Sequence, residues 1–463
     1  MLDRLGRLFR WGRAPRWLTL LRARGKALWS LRKRLGGSQC SLLLVDGCFL
    51  LRAAREFIAL ESQGVIGKQS GKGLEAESLP LTRTCGECWL RQRAALTQVA
   101  LPLAMGAARV EGAAERCARQ LVLTLTAAVG TAEEIVIDLK AILEEALAEW
   151  VVEIAAADGV AAEATRRHLH ATFLPHWRWL RYPSAFRRPA AESAGAEQTT
   201  PFSRAAQLAC ESALALDPAN AGLAAGLCAA SADAAGGCSQ QSLTAAELAP
   251  NLVNAMVAGF ETTLSLVMWT LVELGAPCRA ALRSRVRAAV LACARGGSDG
   301  ARREAEAREA LRALKRRATA GEPIDAANLG SDHHLVRALY ETLRRYPPVW
   351  TLPRAVCEET HAARFACGDV LCMSGGAESG WDPDAPRACM PLASFGVGER
   401  HCPAGASGLV TAFVVLSHVI AHFDLEEGEI HAGNAVASSR LGPTLCVDGP
   451  QHFRLRLVRS TER

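Results

Sequence analysis

The densest run of chemistry-bearing residues in the chain is Phe395-Gly396-Val397-Gly398-Glu399-Arg400-His401-Cys402-Pro403-Ala404-Gly405. Two glycines permit a tight turn, and Pro403 suits the first turn of a following helix, where an amide N–H has no helical partner to lose. The spacing therefore predicts Cys402 at a helix start. Free backbone amides and the neighbouring Arg400 favour the thiolate there, and a bound metal would favour it more strongly. A thiolate so placed can ligate a metal; the plainer alternative is a glycine turn followed by a capped, buried cysteine. Two further segments stand out. Glu341-Thr342-Leu343-Arg344 sets a carboxylate and a guanidinium on one helix face, a spacing that most often makes an ordinary surface ion pair. Ala258-Gly259-Phe260-Glu261-Thr262-Thr263 puts a glycine, which lets a ligand approach the backbone, beside polar groups in an apolar helix. A threonine hydroxyl there either serves a ligand or bonds back to its own helix.

These segments resemble those of the cytochrome P450 family, soluble bacterial type. Phe395, Gly398, Arg400 and Cys402 fit its Phe-x-x-Gly-x-Arg-x-Cys-x-Gly loop, with Ala404 in place of the last glycine. Glu341 and Arg344 fit its Glu-x-x-Arg, followed as in the family by Tyr346-Pro347-Pro348 and Arg354. Ala258 to Thr262 is similar to its oxygen-activation motif, a small residue, Gly, any residue, an acid and Thr. Trp89 and Arg93, within Gly86-Glu87-Cys88-Trp89-Leu90-Arg91-Gln92-Arg93, resemble its Trp-x-x-x-Arg. The four matches stand in the family's order.

The resemblance implies a mainly α fold with a minor β region, a single large domain over residues 35–463 around a buried haem b. Cys402 would be the proximal iron ligand. Trp89, Arg93, Arg354 and Arg400 would bind the haem propionates, since a planar guanidinium pairs a carboxylate bidentately and an indole N–H only donates. Ala258, Gly259, Phe395 and Gly405 would lie against the porphyrin. Thr262 would hold bound oxygen and a water while Glu261 relays protons from solvent, and Glu341 and Arg344 would stabilise the core behind the Cys loop. Val257, Val349, Trp350 and Leu352 correspond to pocket walls, so the implied substrate is hydrophobic: fatty-acid-, terpenoid- or steroid-like. The implied activity is O2-dependent hydroxylation. Its electrons would come from NAD(P)H through a ferredoxin or flavoprotein reductase docked near Arg91, Arg400 and His401, because the chain holds no Gly-x-Gly-x-x-Gly unit.

Two alternatives keep the haem. One is a peroxide-using or isomerising enzyme, against which the intact Glu261 and Thr262 argue; the other is a non-catalytic haem-binding relative. The second is prompted by a departure from the family. Between Arg354 and Phe395 the usual meander is compressed to Trp381-Asp382-Pro383-Asp384-Ala385-Pro386-Arg387, where Arg387 is the candidate third partner of Glu341 and Arg344. The stretch from Gly64 to Cys85 is shortened as well.

The elements that must position these residues are legible in outline. Residues 42–45 read as a strand entering the Asp46-Gly47 turn, and 64–80 as a loop. Residues 86–154 read as two or three helices, and 175–189 as a helix end and turn. Residues 190–237, biased to Ala, Ser and Gly, read as short helices at 208–216 and 223–230 in a mobile region. Ala245–Gly275 reads as a long helix, entered at Ser242-Leu243-Thr244, stopped at Gly275-Ala276-Pro277, and apolar on nearly all sides, as a central helix should be. Residues 336–345 form a helix closed by Pro347-Pro348, residues 349–356 and 369–374 short strands, and 405–423 a final core helix.

Composition narrows the class. The chain has 463 residues, 50% hydrophobic and 22% charged, which excludes a mainly disordered or collagen-like protein. Only 5% is aromatic, so aliphatic helix formers must build the core. The 16 cysteines are irregularly spaced and no secretory signal is seen, which points to a reducing, cytoplasmic setting rather than a disulfide framework. Residues 1–34 carry eleven Lys or Arg against Asp3, a net +10, so the overall +6 leaves −4 for the remainder. The basic charge is thus a local arm, which excludes a surface that tracks nucleic acid. Leu2, Leu5, Leu8, Phe9, Trp17, Leu20 and Leu21 between the arginines suit a solvated helix, a peripheral membrane contact or a transit peptide. No uninterrupted apolar run of about 18 residues predicts a transmembrane helix, and a monomer is expected. Cys85-x-x-Cys88, the His418/His422 pair and His168, His170 and His176 have no companion ligands at metal spacing and receive no role.

Overall fold

The computed structural model describes residues 40–44, 66–67, 81–84, 86–104, 106–156, 160–181, 200–213, 222–231, 242–294, 298–319, 333–349, 351–356, 370–374, 381–384, 392–396, 398–427, 439–441, 444–447 and 450–458. In chain order these are β1 (Cys40–Leu44), β2 (Ile66–Gly67), α1 (Gly86–Ala95), a π-turn (Leu96–Ala100), α2 (Leu101–Ala104), α3 (Ala107–Val129), β3 (Ile135–Asp138), α4 (Leu139–Ala155), α5 (Val160–Arg181), α6 (Pro201–Ala213), α7 (Leu223–Ala229), α8 (Ala245–Gly275), α9 (Ala280–Ala294), α10 (Ser298–Thr319), α11 (His334–Arg345), β4 (Thr351–Val356), β5 (Val370–Ser374), α12 (Leu392–Phe395), α13 (Gly405–His422), β6 (Phe423–Glu427), β7 (Ser439–Leu441), β8 (Leu445–Val447) and β9 (His452–Leu457). The fold is mainly α with small sheets. One sheet runs β1-β5-β4-β2, parallel only between β1 and β5; β3-β9-β6 is antiparallel, and β7-β8 is a hairpin.

One apolar cluster extends from Leu81 to Leu455, and α8 is its axis. From Thr263 to Gly275 every residue of α8 is buried, because α4, α6, α11, α13, β6 and β8 all pack against it. Such burial is what an all-round apolar helix demands. Phe260 meets Phe173 and Trp177 of α5 edge to face, with ring centroids at 5.1 and 4.9 Å, and Phe202 of α6 meets Phe173 at 5.3 Å. Each such pair adds about 1 kcal/mol beyond its buried area, which pins α5 and α6 to the middle of α8. The start of α8 is held by Glu247, fully buried, which accepts from the Thr244 amide at 2.8 Å and from Arg91 and Gln92 of α1. Two helices, Ala245–Gly275 and Gly405–His422, are long and apolar enough to cross a membrane by length and composition, but 67% of each window is buried inside the fold.

Several expectations are corrected. Residues 190–237 do not hold only short helices: α6 begins at Pro201, earlier than expected, and buries Phe202, Ala205, Ala206 and Ala209. Pro201 stands at the first helical position, and the Thr200 hydroxyl accepts from the Ser203 amide at 3.1 Å. Pro175 does not end its helix; α5 continues to Arg181 because Phe173 and Trp177 on either side are driven into the core. Strand β3 interrupts the helices of the 86–154 region, and β6 and β9 join it in the sheet near the chain's end. Apart from β2 the 64–80 segment, like the basic arm and Arg387, lies outside the described residues.

Candidate functional site

The Cys402 loop is a closed turn. Gly396 adopts φ +70°, where a Cβ would meet the Arg400 carbonyl at 3.5 Å and His401 Cα at 3.6 Å. The Cys402 amide donates to the Phe395 carbonyl at 2.6 Å and so closes the loop ahead of α13. The helix starts at Gly405, as expected, but Ala404 is its N-cap, which puts Pro403 just outside the first turn and Cys402 two residues before the cap. Cys402 is half-buried and Gly405 buried. Behind the loop, the Ser394 hydroxyl donates to the Leu343 carbonyl at 3.1 Å, tying α12 to the Glu341–Arg344 turn of α11.

Helix α1 comes to the same loop. The Arg400 guanidinium lies 4.2 Å over the Trp89 ring and donates to the Thr84 carbonyl at 3.2 Å. Arg93 Nη2 is 3.2 Å from His401 Nε2. Burial pushes the Arg93 guanidinium down from its usual range, and the negative charge of Cys402 works against that shift. No carboxylate pairs with Arg93 among the described residues. Trp89, Arg93, Arg400, His401 and Cys402 therefore form one cluster, although α1 and the loop are some 300 positions apart in the chain. Arg91, expected on a docking face, is engaged elsewhere: it makes a bidentate pair with Glu247 at 2.7 and 2.6 Å and donates to the Ser242 carbonyl at 2.6 Å. A buried carboxylate at the α8 N-terminus draws that guanidinium inward, and no local pattern in the sequence announces the pairing.

The Glu341–Arg344 pair is a core pair, not a surface one. Arg344 Nε and Nη2 donate to the two carboxylate oxygens at 2.6 Å each, with side chains 1% and 3% exposed. The Asp382 amide donates to Glu341 Oε1 at 2.9 Å, and the Trp381 indole donates to the Thr342 hydroxyl at 3.1 Å. The 381–384 segment thus reaches Glu341 through a backbone amide.

Compared with known proteins, the chain matches no family model and no curated sequence.

Helix α8 carries the remaining site residues. It touches α13 where a Cβ on Gly408 would meet the Thr263 hydroxyl at 3.5 Å. Gly259 is one turn of α8 from that contact. Among the described residues a Cβ on Gly259 would meet nothing within 4 Å, and Ala258 is exposed, whereas Met256, Phe260, Glu261 and Thr263 are buried. Among the described residues an open stripe therefore runs along α8 at Ala258, Gly259 and the half-buried Thr262, while Val257 packs against the apolar core. The Thr262 hydroxyl donates to its own Ala258 carbonyl at 2.7 Å, leaving oxygen lone pairs to accept. Glu261 is buried on the flank of this stripe, where its Oε1 accepts from the Thr444 hydroxyl at 2.5 Å. Val349 is half-buried beside Pro348, whose carbonyl accepts from the Leu445 amide at 2.8 Å. Arg354 and Leu352 lie on β4, paired with Leu371 and Met373; their side chains and Trp350 lie outside the described residues. Sequence reasoning missed Glu247, whose signal was the Thr244-x-x-Glu247 capping box, Gln92, an unspecified position of the Trp89-x-x-x-Arg93 segment, and Thr444 and Cys446, which sit in no recognisable motif.

Proposed function

We propose that the chain is a haem-thiolate monooxygenase that hydroxylates a hydrophobic small molecule with O2 and two electrons from an external carrier. The observation that carries the reading is Arg93: a half-buried guanidinium without a carboxylate partner among the described residues, beside His401 and Cys402 and facing a loop whose one thiol is half-exposed. A desolvated cation calls for an anion, and a porphyrin propionate next to a thiolate-ligated iron provides one. The open stripe at Gly259 supports the same reading, since a flat ligand needs a helix face without side chains.

In this reading Cys402 ligates the iron, Arg93 and Trp89 bind a propionate, and Arg400 is held over Trp89 to complete the anion site. When bound, the haem supplies O2 binding and oxidation, with thiolate donation favouring O–O cleavage. The protein supplies the surroundings. Gly259 and Ala258 would leave room for a flat ligand, and Val257 and Val349 would offer an apolar wall that orients a substrate and excludes water. The Thr262 oxygen accepts a hydrogen bond from an ordered water, while Glu261 passes protons inward from the flank. NAD(P)H acts indirectly, through a ferredoxin or flavoprotein.

Turnover of a saturated fatty acid tests the proposal. Product formed with NADPH and a surrogate ferredoxin and reductase, and not with hydrogen peroxide alone, supports it. Product from peroxide alone assigns a peroxide-using enzyme, and haem binding without product under either condition assigns a non-catalytic role.

A further inference from the structure

The geometry points to Thr444 as a positioning residue that holds the Glu261 carboxyl on the flank of α8, one position from Thr262, where it can pass a proton to the open stripe; this rests on the proposed function. Three buried groups meet here. Thr444 Oγ1 donates to Glu261 Oε1 at 2.5 Å and lies 3.1 Å from Cys446 Sγ, which is itself 3.9 Å from the same carboxylate oxygen. Thr444 and Cys446 stand 183 and 185 positions from Glu261, so the cluster exists only in the folded chain.

Docking of the C-terminal hairpin does not by itself account for a charge at position 261. The Ser265 hydroxyl and the Trp269 indole already donate to the Leu445 carbonyl, at 2.6 and 3.1 Å, from the same face of α8. The Leu445 amide donates to Pro348, at the exit of α11. With these neutral bonds the strand is fixed at the centre of its contact, and a carboxylate one turn away adds a desolvation cost that docking does not require. A hydroxyl at 2.5 Å is a charge-assisted donor, roughly twice as strong toward a carboxylate as toward a neutral acid. Thr444 therefore fixes the carboxyl through Oε1 on the flank of α8. Successive helical positions lie about 100° apart, so the protonated carboxyl reaches the Thr262 side by turning about its own side-chain bonds, with no movement of the backbone.

The test uses Thr444→Val, which removes the donor, and Thr444→Ser, which keeps it. Two readouts are taken on the full chain. The first is the isotope-edited infrared carboxylate band of Glu261, identified by its loss in Glu261→Gln and measured without haem as well as with it. The second is the product formed per NADPH consumed, with a saturated fatty acid and a surrogate ferredoxin. Thr444→Val is expected to shift the band and to lower the product yield per NADPH about tenfold, the electrons appearing as peroxide or water; Thr444→Ser restores both. An unmoved band, or a Thr444→Val yield equal to wild type, overturns the inference. If the wild-type chain lacks the spectrum of a thiolate-bound haem, the functional reading falls together with the proton role, while the band shift in the haem-free protein still reports the Thr444–Glu261 contact separately.

Discussion

Replacing Arg344 by Met decides whether the Glu341–Arg344 turn is the core device described here or an incidental ion pair. The substitution removes both 2.6 Å donors from a carboxylate that is 3% exposed, while retaining most of the side-chain volume. A buried charge stripped of its partner costs about 3–5 kcal/mol, against about 5–15 kcal/mol for a whole folded chain. Arg344→Met should therefore lose about a fifth or more of the total stability. The companion Glu341→Leu, Arg344→Met double variant removes both charges and should recover most of that loss, because replacing a buried pair with apolar groups is often neutral. Urea unfolding followed by circular dichroism gives both values, provided the slope with denaturant is unchanged. A loss under about 1 kcal/mol for Arg344→Met, the magnitude of an exposed pair, would refute the reasoning. So would a double variant no more stable than the single one.

Other outcomes follow from individual contacts. Arg93→Gln should release haem about 10–100 times faster than wild type, the worth of one hydrogen bond to a charged group; transfer of the Soret band to an excess of apomyoglobin measures it, and an unchanged rate removes Arg93 from the site. Gly226→Ala in α7 should destabilise despite the better helix propensity of alanine, since the new Cβ would lie 2.6 Å from the Ala100 carbonyl; the gain of about 1 kcal/mol from propensity is outweighed by about 1–3 kcal/mol of overpacking against a backbone atom that closes the π-turn after α1. Acid unfolding should depend on Glu115, whose carboxyl is held down to about 2 by hydrogen bonds from His418 and Arg308. A depressed folded value means stabilisation that is complete above the ordinary value of 4.5 and lost as pH falls toward 2. Glu115→Gln should accordingly flatten the acid limb of the stability curve in that window, and an unaltered limb contradicts the assignment.

What the sequence discloses is mostly local. Helix α8 is readable because its apolar residues surround the axis and Thr244 and Gly275-Ala276-Pro277 mark its ends; α11 is readable because Pro347-Pro348 closes it. The Cys402 loop is readable from glycine and proline punctuation, and the following helix starts at Gly405 as expected, with Cys402 and Pro403 ahead of its cap rather than in its first turn. The β9 strand also had its signal, with Phe453, Leu455 and Leu457 alternating against Arg454 and Arg456, but six residues are too few to stand out beside helices of thirty. Contacts across the fold leave no such trace. Arg91 finds Glu247 over 156 positions and Thr444 finds Glu261 over 183, and each pairing depends on which helix faces meet. That is why the sequence leaves the Arg91–Glu247 pair unseen, and why a lone threonine before a short strand carries no message.

The absorption spectrum of the reduced, CO-bound protein, wild type beside Cys402→Ala, tests the account most directly. A strongly red-shifted Soret band in the wild type, absent from Cys402→Ala while the fold is kept, is the predicted result. A wild-type spectrum without that band contradicts the haem-thiolate site, and a band that persists in Cys402→Ala moves the iron ligand away from Cys402.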